Sequence, residues 1–79
     1  MAVELSLDRK AIEITWDVHA VKGNKAHIRC VNPEGGDVSE KMTLNDGRAV
    51  LTFPKDYSGD TEITVRGNGN SYDWGMISV

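Results

Sequence analysis

The chain has 79 residues, of which 39% are hydrophobic and 27% are charged, and its formal net charge is −3. This length predicts one domain, 1–79, and the composition is that of an ordinary soluble globular protein, not of a disordered chain. The nine Lys and Arg residues are scattered from Arg9 to Arg66. Because no basic face is available to displace phosphate counterions, nucleic acid is not an expected partner.

The start of the chain has no apolar run of signal-peptide length, and nowhere do about 18 apolar residues follow one another. We therefore expect synthesis in the cytoplasm and no membrane span. The single cysteine, Cys30, leaves a monomer without an internal disulfide. A core this small supplies little net stability, which favours a homo-oligomer or docking onto a larger assembly.

Short runs of alternating apolar and polar residues recur along the chain and are typical of half-buried strands. Each apolar set is predicted to face the core. Glu40 is out of pattern in the fourth run, which predicts an edge or bulged strand there. In chain order, the first six sets are Val3, Leu5 and Leu7; Ile12, Ile14, Trp16 and Val18; Ala26, Ile28 and Cys30; Val38, Met42 and Leu44; Ala49, Leu51 and Phe53; Ile63 and Val65.

The seventh run changes phase. Tyr72, Trp74 and Met76 are even-numbered, whereas Ile77 and Val79 are odd-numbered. A bulge at Gly75 would reset the pleat and let both sets face the core. This interpretation places Trp74 in the core, with a partly exposed position as the alternative.

Turn-forming residues separate these runs, and the strongest hairpin signal is Asn45-Asp46-Gly47 between two alternating runs. No window shows helical periodicity. Seven short strands with regular turns predict an all-β fold, a single antiparallel seven-stranded Ig-like β-sandwich, with a small barrel as the alternative. The other predicted turns are Gly23-Asn24, Asn32-Pro33 with Gly35-Gly36, Pro54 with Gly59, and Gly67-Asn68-Gly69-Asn70.

Three segments carry a resemblance to known families. Residues 11–16, Ala-Ile-Glu-Ile-Thr-Trp, resemble the second strand of fibronectin type III-like domains. Residues 57–67 look like the corner and sixth strand of immunoglobulin-like modules, and residues 75–79 look like their last strand. The paired cysteines of antibody domains are absent, and Tyr57 precedes the sixth strand instead of lying in it. The resemblance implies a sandwich, similar to accessory proteins on tailed-phage particles or to bacterial adhesion modules.

Catalytic and metal sites find little support in the sequence. His27 and Cys30 are three residues apart and are predicted to point to opposite faces of a strand, whereas zinc needs converging ligands. Asp56, Asp60 and Glu62 lack an EF-hand spacing, so solvated loop charges are the favoured interpretation. No nucleophile elbow or phosphate loop is present. We therefore expect no enzyme activity, no cofactor and no metal.

Two binding functions remain as expectations. The first is a structural module on a phage virion surface, a capsid decoration or accessory protein that docks by strand edges and loops, with the N-terminal strand and residues 38–44 as docking elements. The second is a carbohydrate- or cell-surface-binding adhesion module. Its binding residues would be Asn68, Asn70, Tyr72 and Trp74, where two aromatic side chains flank a polar loop.

Overall fold

A computed structural model describes residues 1–34, 36 and 38–79. Within these residues the chain forms seven strands and no helix, so the all-β prediction is confirmed. The predicted turn at Gly35-Gly36 includes Gly35, which lies outside the described residues. The strands are β1 (Ala2–Leu5), β2 (Ala11–Thr15), β3 (Lys25–Val31), β4 (Val38–Leu44), β5 (Arg48–Thr52), β6 (Asp60–Arg66) and β7 (Tyr72–Ser78).

The seven strands form a β-sandwich of two antiparallel sheets, as predicted. The smaller sheet has the order β1-β2-β5, and the larger has the order β4-β3-β6-β7. β4 is therefore an edge strand, which agrees with the prediction for the fourth run. Every strand pair keeps one continuous register, for example Glu62 opposite Met76 and Arg66 opposite Tyr72.

The inner faces of the two sheets bury a single hydrophobic core. Because successive side chains of a strand point to opposite faces, each alternating set in β2, β3, β5 and β6 supplies one side of this core. Each fully buried aliphatic side chain contributes roughly 1.5–3 kcal/mol. The core residues are Ile12, Ile14, Trp16, Val21, Ala26, Ile28, Cys30, Ala49, Leu51, Phe53, Ile63 and Val65.

The predicted phase is wrong in both edge strands of the larger sheet. In β4 the side chains of Ser39, Lys41 and Thr43 face inward, whereas Val38, Met42 and Leu44 are on the outside. In β7 the pairing with β6 is continuous through Gly75, so there is no bulge. Tyr72, Trp74 and Met76 consequently lie on the outer surface, and Ile77 packs against the core.

The predicted hairpin at residues 45–47 is also wrong, because β4 and β5 belong to different sheets. The turn instead crosses between the sheets and is fixed by Asn45. The Asn45 side chain accepts a hydrogen bond from Trp16 Nε1 at 2.7 Å and donates to the carbonyls of Val21 and Gly23. The backbone N–H of Trp16 also donates to Gly47 O at 3.0 Å. This cross-sheet connection therefore secures Trp16 at the end of the core.

Two further expected core positions are exposed. Leu7 follows the end of β1 and is fully exposed, and Val18 follows the end of β2 in a turn. Each lies just beyond the last paired residue of its strand, where the backbone leaves the sheet. The alternating pattern of the sequence therefore extends beyond the ends of β1 and β2.

Candidate functional site

Exposed hydrophobic side chains are concentrated on one surface of the sandwich. Nine large hydrophobic side chains are exposed in the described part of the chain, and six of them lie on the outer face of the larger sheet. They form a β4 stripe of Val38, Met42 and Leu44 and a β7 stripe of Tyr72, Trp74 and Met76. The outer face of the smaller sheet carries mainly small or polar residues, with Val50 as its exposed hydrophobic residue. The asymmetry marks the larger sheet as the candidate binding surface.

The β7 stripe lines an open groove of about 700 Å³, called here the aromatic groove. The outward residues of β6 line it as well, because they stand directly opposite those of β7. Tyr72 and Trp74 are 53% and 55% exposed, so both rings are available to a ligand. The groove is lined by Glu62, Thr64, Arg66, Asn70, Tyr72, Trp74 and Met76.

The pairing of β6 with β7 also brings these side chains close together. Gly59 and Val79 donate backbone hydrogen bonds to each other, and Gly67 N donates to Ser71 O. In an antiparallel ladder, hydrogen-bonded and non-hydrogen-bonded pairs alternate. The groove pairs Thr64–Trp74 and Glu62–Met76 are therefore non-hydrogen-bonded pairs, whose Cα atoms are only about 4.5 Å apart.

The loop between β6 and β7 is anchored to the neighbouring loop after Trp16. Asn68 N donates to Lys22 O at 2.7 Å, and Lys22 N donates to Ser71 Oγ at 3.0 Å. A Cβ atom at Gly67 would lie 2.1 Å from Lys22 O, so only glycine permits this approach. The loop thus holds Asn70 at the end of the groove.

The structure brings three of the four predicted binding residues into the aromatic groove. Asn70, Tyr72 and Trp74 line it together, whereas Asn68 has its side chain against Gly23. Asn68 lines a smaller adjacent cavity of about 430 Å³ with Asn70 and Tyr72. The prediction that Trp74 is a core residue is wrong, because its ring stands on the outer face.

Sequence reasoning missed the contribution of β6 to this site. Glu62, Thr64 and Arg66 line the groove together with Met76 of β7. Their alternation with Ile63 and Val65 already indicated an outward set. The sequence did not show that β6 pairs with β7, and this pairing places the polar side chains of β6 beside the aromatic side chains of β7.

Polar side chains of β3 lie between the two hydrophobic stripes, and two of them face Glu40, which lies within the β4 stripe. Glu40 Oε1 lies 3.6 Å from Arg29 Nε, and Glu40 Oε2 lies 3.7 Å from His27 Nε2. In the described part of the chain, Glu62 and Arg66 of the groove form no ion pair within 4.0 Å. These two opposite charges are therefore available to hydrogen-bond a ligand.

Both edges of the larger sheet carry inward-facing charged side chains. On β4, the Lys41 ammonium donates to the carbonyl of Val50 in β5 at 2.9 Å. On β7, Asp73 Oδ1 accepts the backbone N–H of Trp74 at 2.9 Å, and Asp73 Oδ2 lies 3.2 Å from the amino group of Met1. Charges placed in this way oppose the addition of another strand.

The candidate catalytic and metal ligands do not converge. Cys30 is buried, and burial raises the pKa of its thiol to about 12, so the reactive thiolate is suppressed. His27 lies on the outer face, opposite to Cys30, as predicted. Across residues 1–34, 36 and 38–79, no group of three His, Cys, Asp or Glu side chains has a metal-binding arrangement.

Within the same residues, no helix is long and apolar enough to cross a bilayer. Comparison of the chain with family models, curated proteins and solved structures finds no match. The functional argument therefore depends on the chemistry and geometry of the outer face.

Proposed function

We propose that the protein is a non-enzymatic binding module and that its contact surface is the outer face of the larger sheet. The observation that carries this proposal is that six of the nine exposed large hydrophobic side chains lie there. Tyr, Trp, Met and Arg are the residue types enriched at binding interfaces. Tyr72, Trp74, Met76 and Arg66 supply all four types on adjacent strands.

An immunoglobulin-like identity is part of the proposal. Immunoglobulin-like sandwiches place their first, second and fifth strands in one sheet. They place the third, sixth and seventh strands in the other sheet, and in variable-type domains an extra strand lies beside the third. The orders β1-β2-β5 and β4-β3-β6-β7 fit this plan except at β4. Constant-type domains place the fourth strand in the sheet of the first, second and fifth strands, whereas β4 lies beside β3, in the place of the extra variable-type strand. The resemblance to phage accessory proteins suggests a capsid or another large assembly as the partner, with the module on a virion surface and many copies supplying avidity.

We assign docking to the outer face instead of the strand edges. Lys41 occupies a carbonyl of β5, and Asp73 occupies the N–H of Trp74. A partner strand would have to displace these contacts before it could pair with β5 or β7. The outer face requires no such displacement, because Tyr72 and Trp74 are already exposed.

Site-specific photo-crosslinking in cells that produce the protein's natural partners tests the proposal. A photoreactive phenylalanine analogue replaces Tyr72 in one variant and Val50, on the outer face of the smaller sheet, in the matched control. We expect a discrete crosslinked product from position 72 and none from position 50. Mass spectrometry of the product identifies the partner class, including a capsid protein. Crosslinking at position 50 alone would contradict the proposal, and so would crosslinking at neither position if no ligand of another class binds this face.

A second candidate function is carbohydrate binding, as in an adhesion module. The specific observation in its favour is the pair of exposed aromatic side chains, Tyr72 and Trp74, beside the polar groups of β6. This candidate uses the same outer face and differs from the first in the chemistry of the ligand.

A further inference from the structure

The distribution of charge favours a ligand that occupies only part of the outer face. The cores of protein interfaces are depleted of charged residues. Here Arg29 of β3 lies between the β4 stripe and the β7 stripe, and Glu40, which pairs with it, lies within the β4 stripe. A protein covering both stripes would have to desolvate this ion pair, and this penalty opposes binding. The aromatic groove on β6 and β7 lies to one side of the pair, so a ligand confined to the groove leaves it in solvent.

We infer that the aromatic groove binds a neutral carbohydrate, an inference that rests on the proposed role of the outer face as the contact surface. A sugar ring has apolar faces of C–H groups and a rim of hydroxyls. Trp74 and Tyr72 offer flat aromatic surfaces to the C–H faces, and Arg66, Glu62 and Asn70 offer donors and acceptors to the hydroxyls. Its volume of about 700 Å³ lies within the range of small-molecule sites.

The spacing of the aromatic residues indicates how the ligand lies. Tyr72 and Trp74 are two residues apart on one strand face, a separation of about 7 Å. Adjacent linked sugar rings can therefore contact the two side chains in turn. Arg66 stands opposite Tyr72 and Glu62 stands opposite Met76, so a chain lying along β7 meets one charged side chain near each end.

Charge selects a neutral sugar over an acidic one. Arg66 and Glu62 balance each other within the groove, and the whole chain carries a net charge of −3. A polyanionic glycan would be repelled by the net charge of the protein and would meet a single cationic side chain in the groove. A neutral oligosaccharide uses both charged side chains as hydrogen-bonding partners.

The protein contains an internal control for the binding experiment. Trp16 is 7% exposed and its indole N–H is held by Asn45, whereas Trp74 is on the surface. Two-dimensional NMR of the labelled protein resolves the two indole N–H signals. Cellohexaose, xylohexaose, mannohexaose and chitohexaose are titrated in turn, with a hyaluronan oligosaccharide as the anionic comparison. We expect at least one neutral sugar to shift the Trp74 signal in a saturable manner while the Trp16 signal stays in place.

Variants define the site further. Trp74→Ala is expected to weaken binding of that sugar about tenfold or more, since it removes a stacking surface. Arg66→Met, which keeps the aliphatic stem, is expected to weaken it as well. Val50→Ala, on the opposite outer face, is expected to leave binding unchanged. Retained binding in Trp74→Ala, or stronger binding of the anionic sugar, would overturn the inference.

The outcomes separate this inference from the proposed function. If no sugar shifts the Trp74 signal while the photoreactive group at position 72 captures a discrete protein, the carbohydrate inference fails and the proposed function stands. If a neutral sugar shifts the Trp74 signal and Trp74→Ala no longer binds that sugar, the carbohydrate inference and the proposed function both stand. If no sugar shifts the Trp74 signal and the photoreactive group at position 72 captures no protein, the inference and the proposed function both fail.

Discussion

Replacement of Asn45 by alanine should be strongly destabilising, although its side chain lies at the boundary of the core. The Asn45 side chain accepts from Trp16 Nε1 and donates to two backbone carbonyls, those of Val21 and Gly23. A buried donor left without a partner costs about 1–3 kcal/mol, and each of the two further lost hydrogen bonds costs about 0.5 kcal/mol, because Asn45 itself is only half-buried. We therefore expect Asn45→Ala to lower the free energy of unfolding by about 2–4 kcal/mol, which lowers the Tm of a domain this size by roughly 10–30 °C.

Urea denaturation followed by far-UV circular dichroism measures this change, and a double-mutant cycle locates its cause. Trp16→Phe keeps a buried ring and removes the indole N–H. In that background, Asn45→Ala leaves no indole donor unpaired, so its effect should be smaller by about 1 kcal/mol or more. Asn70→Ala, at an exposed asparagine in the groove, serves as the control and should stay within about 0.5 kcal/mol of the parent. A loss below about 0.5 kcal/mol for Asn45→Ala, or additive effects of the two substitutions, would refute the reasoning.

Three further predictions concern single side chains. Ser39 Oγ is buried and has no hydrogen-bond partner among residues 1–34, 36 and 38–79, so Ser39→Ala should leave the free energy of unfolding unchanged or raise it in the same urea assay. A loss above about 1 kcal/mol would contradict this reasoning. Burial raises the pKa of Cys30 to about 12, so a thiol reagent at pH 8 should label the denatured protein rapidly and the native protein hardly at all; equal rates would contradict the buried position. The hydrogen bond from Arg48 lowers the pKa of Glu13 below its ordinary value of 4.5. The pair therefore stabilises the fold at pH values above 4.5, and this stabilisation is lost as the pH falls through the lowered pKa. In Arg48→Gln, NMR titration should show the pKa of Glu13 raised towards 4.5, and an unchanged value would count against the pair.

Alternation in the sequence was sufficient to locate the strands and the core of the sandwich. Ile12, Ile14, Ile28, Ile63 and Val65 all face inward as predicted. These residues lie in β2, β3 and β6, strands with a neighbour on each side. There, one side-chain face must pack against the opposite sheet, so the more apolar set identifies the inner face.

In β4 and β7, the edge strands of the larger sheet, the same pattern was misleading, whereas in β1 and β5, the edge strands of the smaller sheet, the predicted set does face the core. A period of two shows which residues share a face, but it does not show which face is covered. In β4 the inward Lys41 reaches a backbone carbonyl of β5, and in β7 the inward Asp73 reaches a backbone N–H. These roles depend on the position of the strand in the sheet, which the sequence does not reveal. The same limit favoured a core position for Trp74 over the exposed position that the structure shows.

The strand order also has a consequence for the way the protein is made. The central pairs of both sheets join distant parts of the chain, Ile14 with Ala49 and Cys30 with Ile63. Such pairings require closure of long loops and slow the folding of all-β domains. Because β6 must leave the ribosome before it can join β3, the larger sheet cannot close until residues Asp60–Arg66 have been synthesised. Until then the hairpins β1-β2 and β3-β4 have uncovered apolar faces, and such faces are prone to aggregate.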